Sequence, residues 1–213
     1  MVHHPHIYWY WSTLAEGQQA LLDPQERARC HTFGSADRRR CFVAGRTALK
    51  TLVARHTRQA PGAVRVHVAD SGSLSIDGPL HVSLAHSDAW AVAVLAPVPI
   101  GIDLEQIQPR DAAVARFLFA PEERHTLHAL PGTESERLVL AWTLKEAVLK
   151  ARQSGFRCSP KHIQLEVDAE AQTARAIVTR TTPHDRWQLV FGRRHGSWWA
   201  WAVPAANPES DLE

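Results

Sequence analysis

Three short stretches carry the residue types that could do chemistry. Pro99-Ile100-Gly101-Ile102-Asp103-Leu104-Glu105 is β-branched and alternating, and a strand here projects Asp103 and Glu105 from one face. Two carboxylates held that close are costly unless a cation sits between them, and an all-oxygen pair suits Mg²⁺ or Mn²⁺ better than zinc. Trp142-Thr143-Leu144-Lys145-Glu146-Ala147-Val148-Leu149-Lys150 reads as a helix that sets Glu146 and Lys150 one turn apart on one face. An acid able to bind metal or take a proton thus stands beside a base able to hold a phosphate. Taken alone, the same pair also suits a solvated ion pair on a helix surface. Val82-Ser83-Leu84-Ala85-His86-Ser87 adds a histidine at the end of a strand, which serves equally as a phosphate contact or as a core residue.

In order and spacing, Ser-x-x-His-Ser, then Gly-Ile-Asp-x-Glu, then Trp-x-x-Lys-Glu-Ala-x-x-Lys resembles the Sfp-type 4′-phosphopantetheinyl transferases, over roughly residues 20 to 170. The resemblance implies two similar α+β lobes with the active site in the cleft between them. It implies transfer of phosphopantetheine from coenzyme A to a serine of an apo acyl or peptidyl carrier protein. Asp103, Glu105 and Glu146 are implied as Mg²⁺ ligands, with Mn²⁺ as an alternative. Glu146, or Glu105 through a water, is implied as the base for the serine proton, and Lys150 as the group that stabilises the departing phosphate. His86 is implied at a coenzyme A phosphate, and Arg29 near the 3′-phosphate, with Arg40 and Arg46 as further cofactor contacts. Glu123, in Phe117-Leu118-Phe119-Ala120-Pro121-Glu122-Glu123, matches an acid common in the family and reads as structural or carrier-facing. One departure stands out: Gly72-Ser73-Leu74 occupies the position of a Gly-Lys-Pro in relatives, so a phosphate-contacting lysine is missing and coenzyme A affinity depends on the remaining cations.

These residues belong to a chain of 213 residues whose 45% apolar and 22% charged composition is that of an ordinary globular protein able to bury a sizeable core. No apolar run is long enough to span a membrane, and the N-terminus lacks a basic region followed by an apolar stretch, so a cytoplasmic protein is expected. Cys30, Cys41 and Cys158 lack Cys-x-x-Cys spacing and read as reduced packing residues. His3, His4 and His6 have no matching Cys or carboxylate, so they do not read as a metal site. The net charge of +2 conceals an imbalance. Between Arg27 and Arg58, nine cations (Arg27, Arg29, Arg38, Arg39, Arg40, Arg46, Lys50, Arg55, Arg58) face a single acid, Asp37. A polyanion is the natural partner, and a short stretch without interleaved aromatics fits a small phosphorylated ligand as well as nucleic acid.

The elements that must position the site follow from local signals. Ile7 to Trp11 reads as a strand, and Ser12 or Thr13 caps a short helix into Leu22. Asp23 at N-cap and Pro24 at N1 open a helix through Cys30. A longer helix from Ala36 to His56 carries an apolar stripe of Phe42, Leu49, Leu52 and Val53, with Arg39, Arg46 and Lys50 on an adjacent, outward stripe. Strand pieces follow at Val64 to Val68, Leu74 to Ile76, Leu80 to Leu84 and Ala89 to Leu95. The proline-bracketed link at Pro97-Val98-Pro99 divides an N-terminal lobe, 1–98, from a C-terminal lobe, 99–206. After it come a helix from Asp111 to Phe119, a short helix from Glu122 to His128, and a long helix opened by the Thr133-Glu134-Ser135-Glu136 capping box and ended by Gly155. Lys145, about 100° round that helix from Glu146, is expected to face solvent or the carrier. Strands at Ile163 to Val167, Ala174 to Thr179, Gln188 to Gly192 and Trp198 to Val203 complete the chain before a polar tail, 207–213, expected to be disordered. Each half is thus α+β, helices followed by antiparallel strands. A chain holding both halves of a cleft has no need of a partner copy, so a monomer is expected, with neither membrane nor nucleic acid as partner. Two other readings use the same residues: a non-catalytic carrier-binding protein of the same fold, and a metal-dependent phosphohydrolase.

Overall fold

The computed structural model describes residues 6–87, 89–153, 158–181 and 184–205. Strand β1 (Tyr8–Thr13) runs into two 3-10 turns at Leu14–Glu16 and Gln19–Leu21. The single helix expected there does not form, and the turns are separated by Gly17, whose Cα packs against the backbone of Ala44. Helix α1 (Pro24–Thr32) begins at the expected cap: Asp23 accepts from Glu26 N, and the Glu26 carboxylate accepts from Asp23 N. Helix α2 (Ala36–Thr57), capped by Ser35, lies on a three-stranded antiparallel sheet ordered β1, β5 (Trp90–Ala96), β4 (His81–Ser87). Its Leu49, Leu52 and Val53 pack on Ala91, Ala93 and Leu95. The small ribbon β2 (Val66–Val68) and β3 (Leu74–Ile76) closes the end of this layer.

The outward cationic stripe expected on α2 is not what forms. Arg46 and Lys50 are buried, Arg46 Nε lying 2.9 Å from Glu26 Oε1 and Lys50 Nζ 2.7 Å from Glu26 Oε2. Lys50 also donates to the carbonyl of Leu21 at 3.0 Å. The carboxylate that caps α1 is therefore also an internal counterion for α2. It lies one residue before the charge-counted stretch, which is why that stretch looked unopposed.

Beyond the proline link, β6 (Gly101–Gln106) is the edge of a five-stranded antiparallel sheet, followed by β10 (Ser197–Pro204), β9 (Asp185–Arg194), β8 (Thr173–Val178) and β7 (Ile163–Asp168). Helix α3 (Ala113–Leu118), a 3-10 turn at Pro121–Glu123 and the four-residue α4 (Thr126–Ala129) lead to helix α5 (Glu134–Ala151). The expected helix over Glu122–His128 is thus split into a turn and a short helix. Thr133 caps α5 as its sequence indicates, and Gly155, expected to end it, lies outside the described residues, as does the tail after residue 205.

Helix α5 packs on the five-stranded sheet through Leu140, Leu144, Ala147 and Val148. A second core joins the two sheets, with Val92 and Val94 meeting Ile100, Ile102, Leu104 and Trp201. β4 and β6 are sutured directly, because the Ile102 N–H donates to Ser83 Oγ at 3.1 Å. On the side of the chain away from α2 and α5 the rings of Trp90 and His195 stack at 3.9 Å, and Trp9 meets Trp199 edge-on at 5.3 Å. No helix among the described residues is long and apolar enough to cross a membrane.

Candidate active site

Strand alternation on β6 puts Ile100, Ile102 and Leu104 into the core between the sheets and turns Gly101, Asp103 and Glu105 toward α5. Gly101 decides how closely the helix approaches: a Cβ there would lie 2.0 Å from the carbonyl oxygen of Ala147 and 2.3 Å from the Ala151 nitrogen. No other residue leaves room for that backbone contact. It brings Glu146 and Lys150, one residue before Ala147 and one before Ala151, over the carboxylates of β6.

Lys150 Nζ donates to Asp103 Oδ1 at 2.7 Å, so the ion pair made by this lysine is with the strand and not with its helical neighbour Glu146. The second oxygen, Asp103 Oδ2, is buried without a hydrogen-bond partner. Burial raises the Glu105 carboxyl to about 7, with the Asp103 charge adding to it, Arg110 and Lys150 opposing, and Glu146 adding a smaller push. Glu146 is raised for the same reasons, burial first and then Asp103, against Lys150. Three carboxylates thus share one field that two cations only partly balance. Arg110 Nη2 donates to Glu105 Oε2 at 3.1 Å. His86 is exposed at the end of β4, yet the surrounding protein disfavours its imidazolium, Lys150 adds to this, and Asp103 opposes.

Among the described residues no three His, Cys, Asp or Glu side chains converge as a ready-made ligand set, the positive charge here coming from Lys150 and Arg110. The donor chemistry nevertheless fits a hard divalent cation. All donors are carboxylate oxygens, two of the three carboxyls are strained toward protonation, and Asp103 Oδ2 has a free lone pair directed at nothing else.

Of these groups Glu146, Lys150 and His86 face a cavity of about 620 Å³, while Glu105 and Arg110 line a smaller one beside it. The walls of the larger cavity come from both sides of the chain: Ser73, Leu84 and His86 on one, Trp142, Glu146 and Lys150 on the other. Gly72-Ser73-Leu74, the stretch lacking a lysine, forms part of that wall, with Gly72 in the left-handed region at φ 83°. Arg29, Arg40 and Arg46 do not line it. Arg29 and Arg40 are exposed, Arg40 pairing with Asp37, and Arg46 is occupied by Glu26. Arg29 is close enough to Arg46 for its charge to act on it.

Lys145 corrects an expectation. It is 0% exposed, and its Nζ donates to Glu123 Oε2 and the Leu118 carbonyl at 2.8 Å and to the Pro160 carbonyl at 3.1 Å. The other Glu123 oxygen accepts from Leu165 N at 3.0 Å, so Glu123 is structural. Burial pushes both groups toward neutrality, and the complete shell of partners holds the pair. Lys145 lies off the Glu146 face, as its rotation round the helix requires, but that second face of the helix is also covered. Sequence reasoning also passed over Arg110 and Phe117. The nearest signal for Arg110 was its position just past Pro109, where the chain turns back toward Glu105.

The geometry gathers three carboxylates and a lysine across a strand and a helix. Residues 99–202, just under half of the chain, match the model of the 4′-phosphopantetheinyl transferase superfamily. Among curated relatives, the 4′-phosphopantetheinyl transferase HetI of Nostoc sp. is 32% identical over 146 residues, covering 64% of this chain and 62% of the relative. A 4′-phosphopantetheinyl transferase of Bacillus subtilis is 25% identical over 140 residues, again 64% and 62%. A putative one from Synechocystis sp. is 31% identical over 151 residues, covering 67% and 61%. The chain thus spans about three fifths of the length of these relatives.

Proposed function

We propose that this chain is an enzyme that transfers the 4′-phosphopantetheine group of coenzyme A to a serine of an apo acyl or peptidyl carrier protein, releasing 3′,5′-ADP. The single observation that carries the reading is that Asp103, Glu105, Glu146 and Lys150 act on one another's charge beside a 620 Å³ cavity lined by Glu146 and Lys150, in a chain whose residues 99–202 match this superfamily. Asp103, Glu105 and Glu146 would hold Mg²⁺, or Mn²⁺. Bound there, the ion supplies positive charge to a pyrophosphate that the carboxylates would otherwise repel.

The serine hydroxyl attacks the phosphorus on the pantetheine side of the pyrophosphate. The bond from that phosphorus to the bridging oxygen breaks, and the electron pair leaves with 3′,5′-ADP. Glu146, or Glu105 through a water, takes the serine proton. Lys150 moves from Asp103 to the oxygen on which charge develops, a reach of one side chain. His86, on the opposite wall, contacts a phosphate of the cofactor. Arg29, exposed and outside the cavity wall, would reach the 3′-phosphate only where the cofactor extends beyond the cavity, with Arg40 and Arg46 as further cofactor contacts, Arg40 held by Asp37 and Arg46 by Glu26. We take the sheets on either side of the proline link as two α+β lobes, 1–98 and 99–206, related by an approximate twofold, with the cavity as their cleft. A monomer in the cytoplasm suits this arrangement and the lack of a disulfide among Cys30, Cys41 and Cys158.

The test is to incubate the protein with coenzyme A, Mg²⁺ and a panel of apo carrier proteins and weigh each carrier. A mass gain of one phosphopantetheine group is the expected result. Consumption of coenzyme A without labelling would make the protein a phosphohydrolase, and carrier binding with neither would make it non-catalytic.

A further inference from the structure

On β4 a hydroxyl interrupts the apolar alternation of side chains. Val82 and Leu84 point into the core beneath α2, and Ala85 points the other way, into the core between the two sheets. Ser83 shares the face of Ala85 and is 7% exposed, so it stands where that core calls for an apolar side chain. A hydroxyl taken out of water is costly unless it is hydrogen-bonded. Among the described residues its partner is the Ile102 N–H, which donates to Ser83 Oγ at 3.1 Å.

That bond lies at the joint between the sheets. β4 is one edge of the three-stranded sheet and β6 one edge of the five-stranded sheet, and the two lie side by side without a backbone ladder between them. Among the described residues no other hydrogen bond joins them. A buried N–H on an edge strand needs an acceptor, and the Ser83 hydroxyl supplies at one point what a ladder would supply along the strand. The place of that point matters. Gly101 sets β6 against α5 by direct backbone contact, and the next residue, Ile102, sets it against β4. Glu146 and Lys150 come from α5, and His86 lies three residues beyond Ser83 on β4, close enough for the charges of Lys150 and Asp103 to act on it. Two successive residues therefore tie both cavity walls to the strand that carries Asp103 and Glu105. One tie is steric; the other is a single hydrogen bond.

Resting on the transfer proposed above, we infer that Ser83 is a positioning residue for that reaction: through the Ile102 N–H, its hydroxyl holds the Asp103 strand at a fixed distance from the His86 wall. Without the bond the two sheets remain joined by the apolar contacts of Val92 and Val94 with Ile102 and Leu104, so the chain still folds. Those contacts are non-directional and let one edge strand slide against the other. A displacement of about 1 Å between reacting groups can lower a rate by about a hundredfold. Ser83 thus sets how the wall that faces the cofactor meets the carboxylates that face the reacting phosphate.

The experiment compares Ser83→Thr with Ser83→Val, two β-branched side chains of one shape that differ in the hydroxyl. Both are assayed with coenzyme A, Mg²⁺ and the apo carrier that wild type labels fastest, at a temperature where near-ultraviolet circular dichroism shows each variant folded. Ser83→Val should lower kcat by about ten- to a hundred-fold, and Ser83→Thr should recover most of that loss. Coenzyme A affinity, measured by calorimetry without carrier, should change less than kcat. Hydrogen exchange without substrates should show the Ile102 amide exchanging about ten- to a hundred-fold faster in Ser83→Val than in wild type or Ser83→Thr. Where the added methyl group prevents folding, Ser83→Ala against wild type carries the same readouts. Faster exchange with an unchanged kcat would make the bond structural only and overturn the inference. Equal kcat in the threonine and valine variants, or an Ile102 amide as well protected in Ser83→Val as in wild type, would overturn it too. A wild-type protein that labels no carrier removes the transfer reading and this inference with it, before any variant is compared.

Discussion

Replacing Glu105 by glutamine should make the metal-free protein more stable at neutral and alkaline pH, although it removes a group central to the proposed chemistry. In the fold the Glu105 carboxyl titrates near 7, against an ordinary value of 4.5, because it is buried beside Asp103. A folded-state value above the unfolded one means that ionisation costs more in the native protein. Below about pH 4.5 the group is neutral in both states and contributes nothing; between 4.5 and 7 the penalty grows; above 7 it is complete. The difference corresponds to about 3 kcal/mol at pH 8, from about 1.4 kcal/mol per tenfold in proton affinity. Glutamine keeps the shape and removes the charge, at the expense of the half-exposed pair with Arg110, which is worth at most about 1 kcal/mol. The net gain should be about 2–3 kcal/mol at pH 8, or a rise in Tm of about 4–12 °C for a chain of this size. The assay is denaturant unfolding in EDTA across pH 5 to 8, followed by fluorescence. The gap between Glu105→Gln and wild type should widen with pH and narrow when Mg²⁺ is added, because an ion bound only by the native state stabilises wild type more. A Glu105→Gln protein no more stable than wild type at pH 8, or a gap that does not change with pH, would refute the shared-field account of the three carboxylates.

Three more predictions concern what surrounds Glu105. Lys150→Ala should lower kcat by about ten- to a thousand-fold, as for other lost electrostatic stabilisers, and in EDTA it should also lower Tm, since Asp103 then loses its counterion; wild-type turnover would return the lysine to a structural role. Lys145→Met should cost about 3–5 kcal/mol by stranding the buried Glu123, while the double substitution with Glu123→Leu recovers part of the loss in a thermal melt; two additive single effects would contradict the pairing. Gly101→Ala should lose activity out of proportion to its secondary structure, because α5 must lift from β6 to admit one methyl group; circular dichroism alongside coenzyme A calorimetry separates a displaced helix from an unfolded one.

How much of this was legible depended on how far along the chain each cause lay. The cap at Asp23, the box at Thr133 and the alternation through β6 are set by neighbours within a few residues, and they form where the sequence places them. Lys145 and Arg46 went the other way. Lys145 is held by Leu118, Glu123 and Pro160, all distant in sequence, and its burial follows from the turn after α3 and the start of β7 closing over the second face of α5. Arg46 and Lys50 look like an open cationic face until α1 folds back and delivers Glu26. Asp103 and Glu105 could be paired from sequence, but their joining to Lys150 needed the helix-to-strand spacing that Gly101 permits.

That backbone contact has a consequence for recombining this chain with its relatives. Because the Gly101 Cα meets the main chain of Ala147 and Ala151 directly, no side chain is available to absorb a change in the tilt of α5. A chimera with its crossover between β6 and α5 would combine a strand from one parent with a helix seated for another, and a small difference in tilt would pass undamped into the distance between Glu146 and Asp103. Crossovers placed at the Pro97–Pro99 link, which leave Gly101 to Ala151 from a single parent, would exchange whole cavity walls while keeping the spacing of the carboxylates intact.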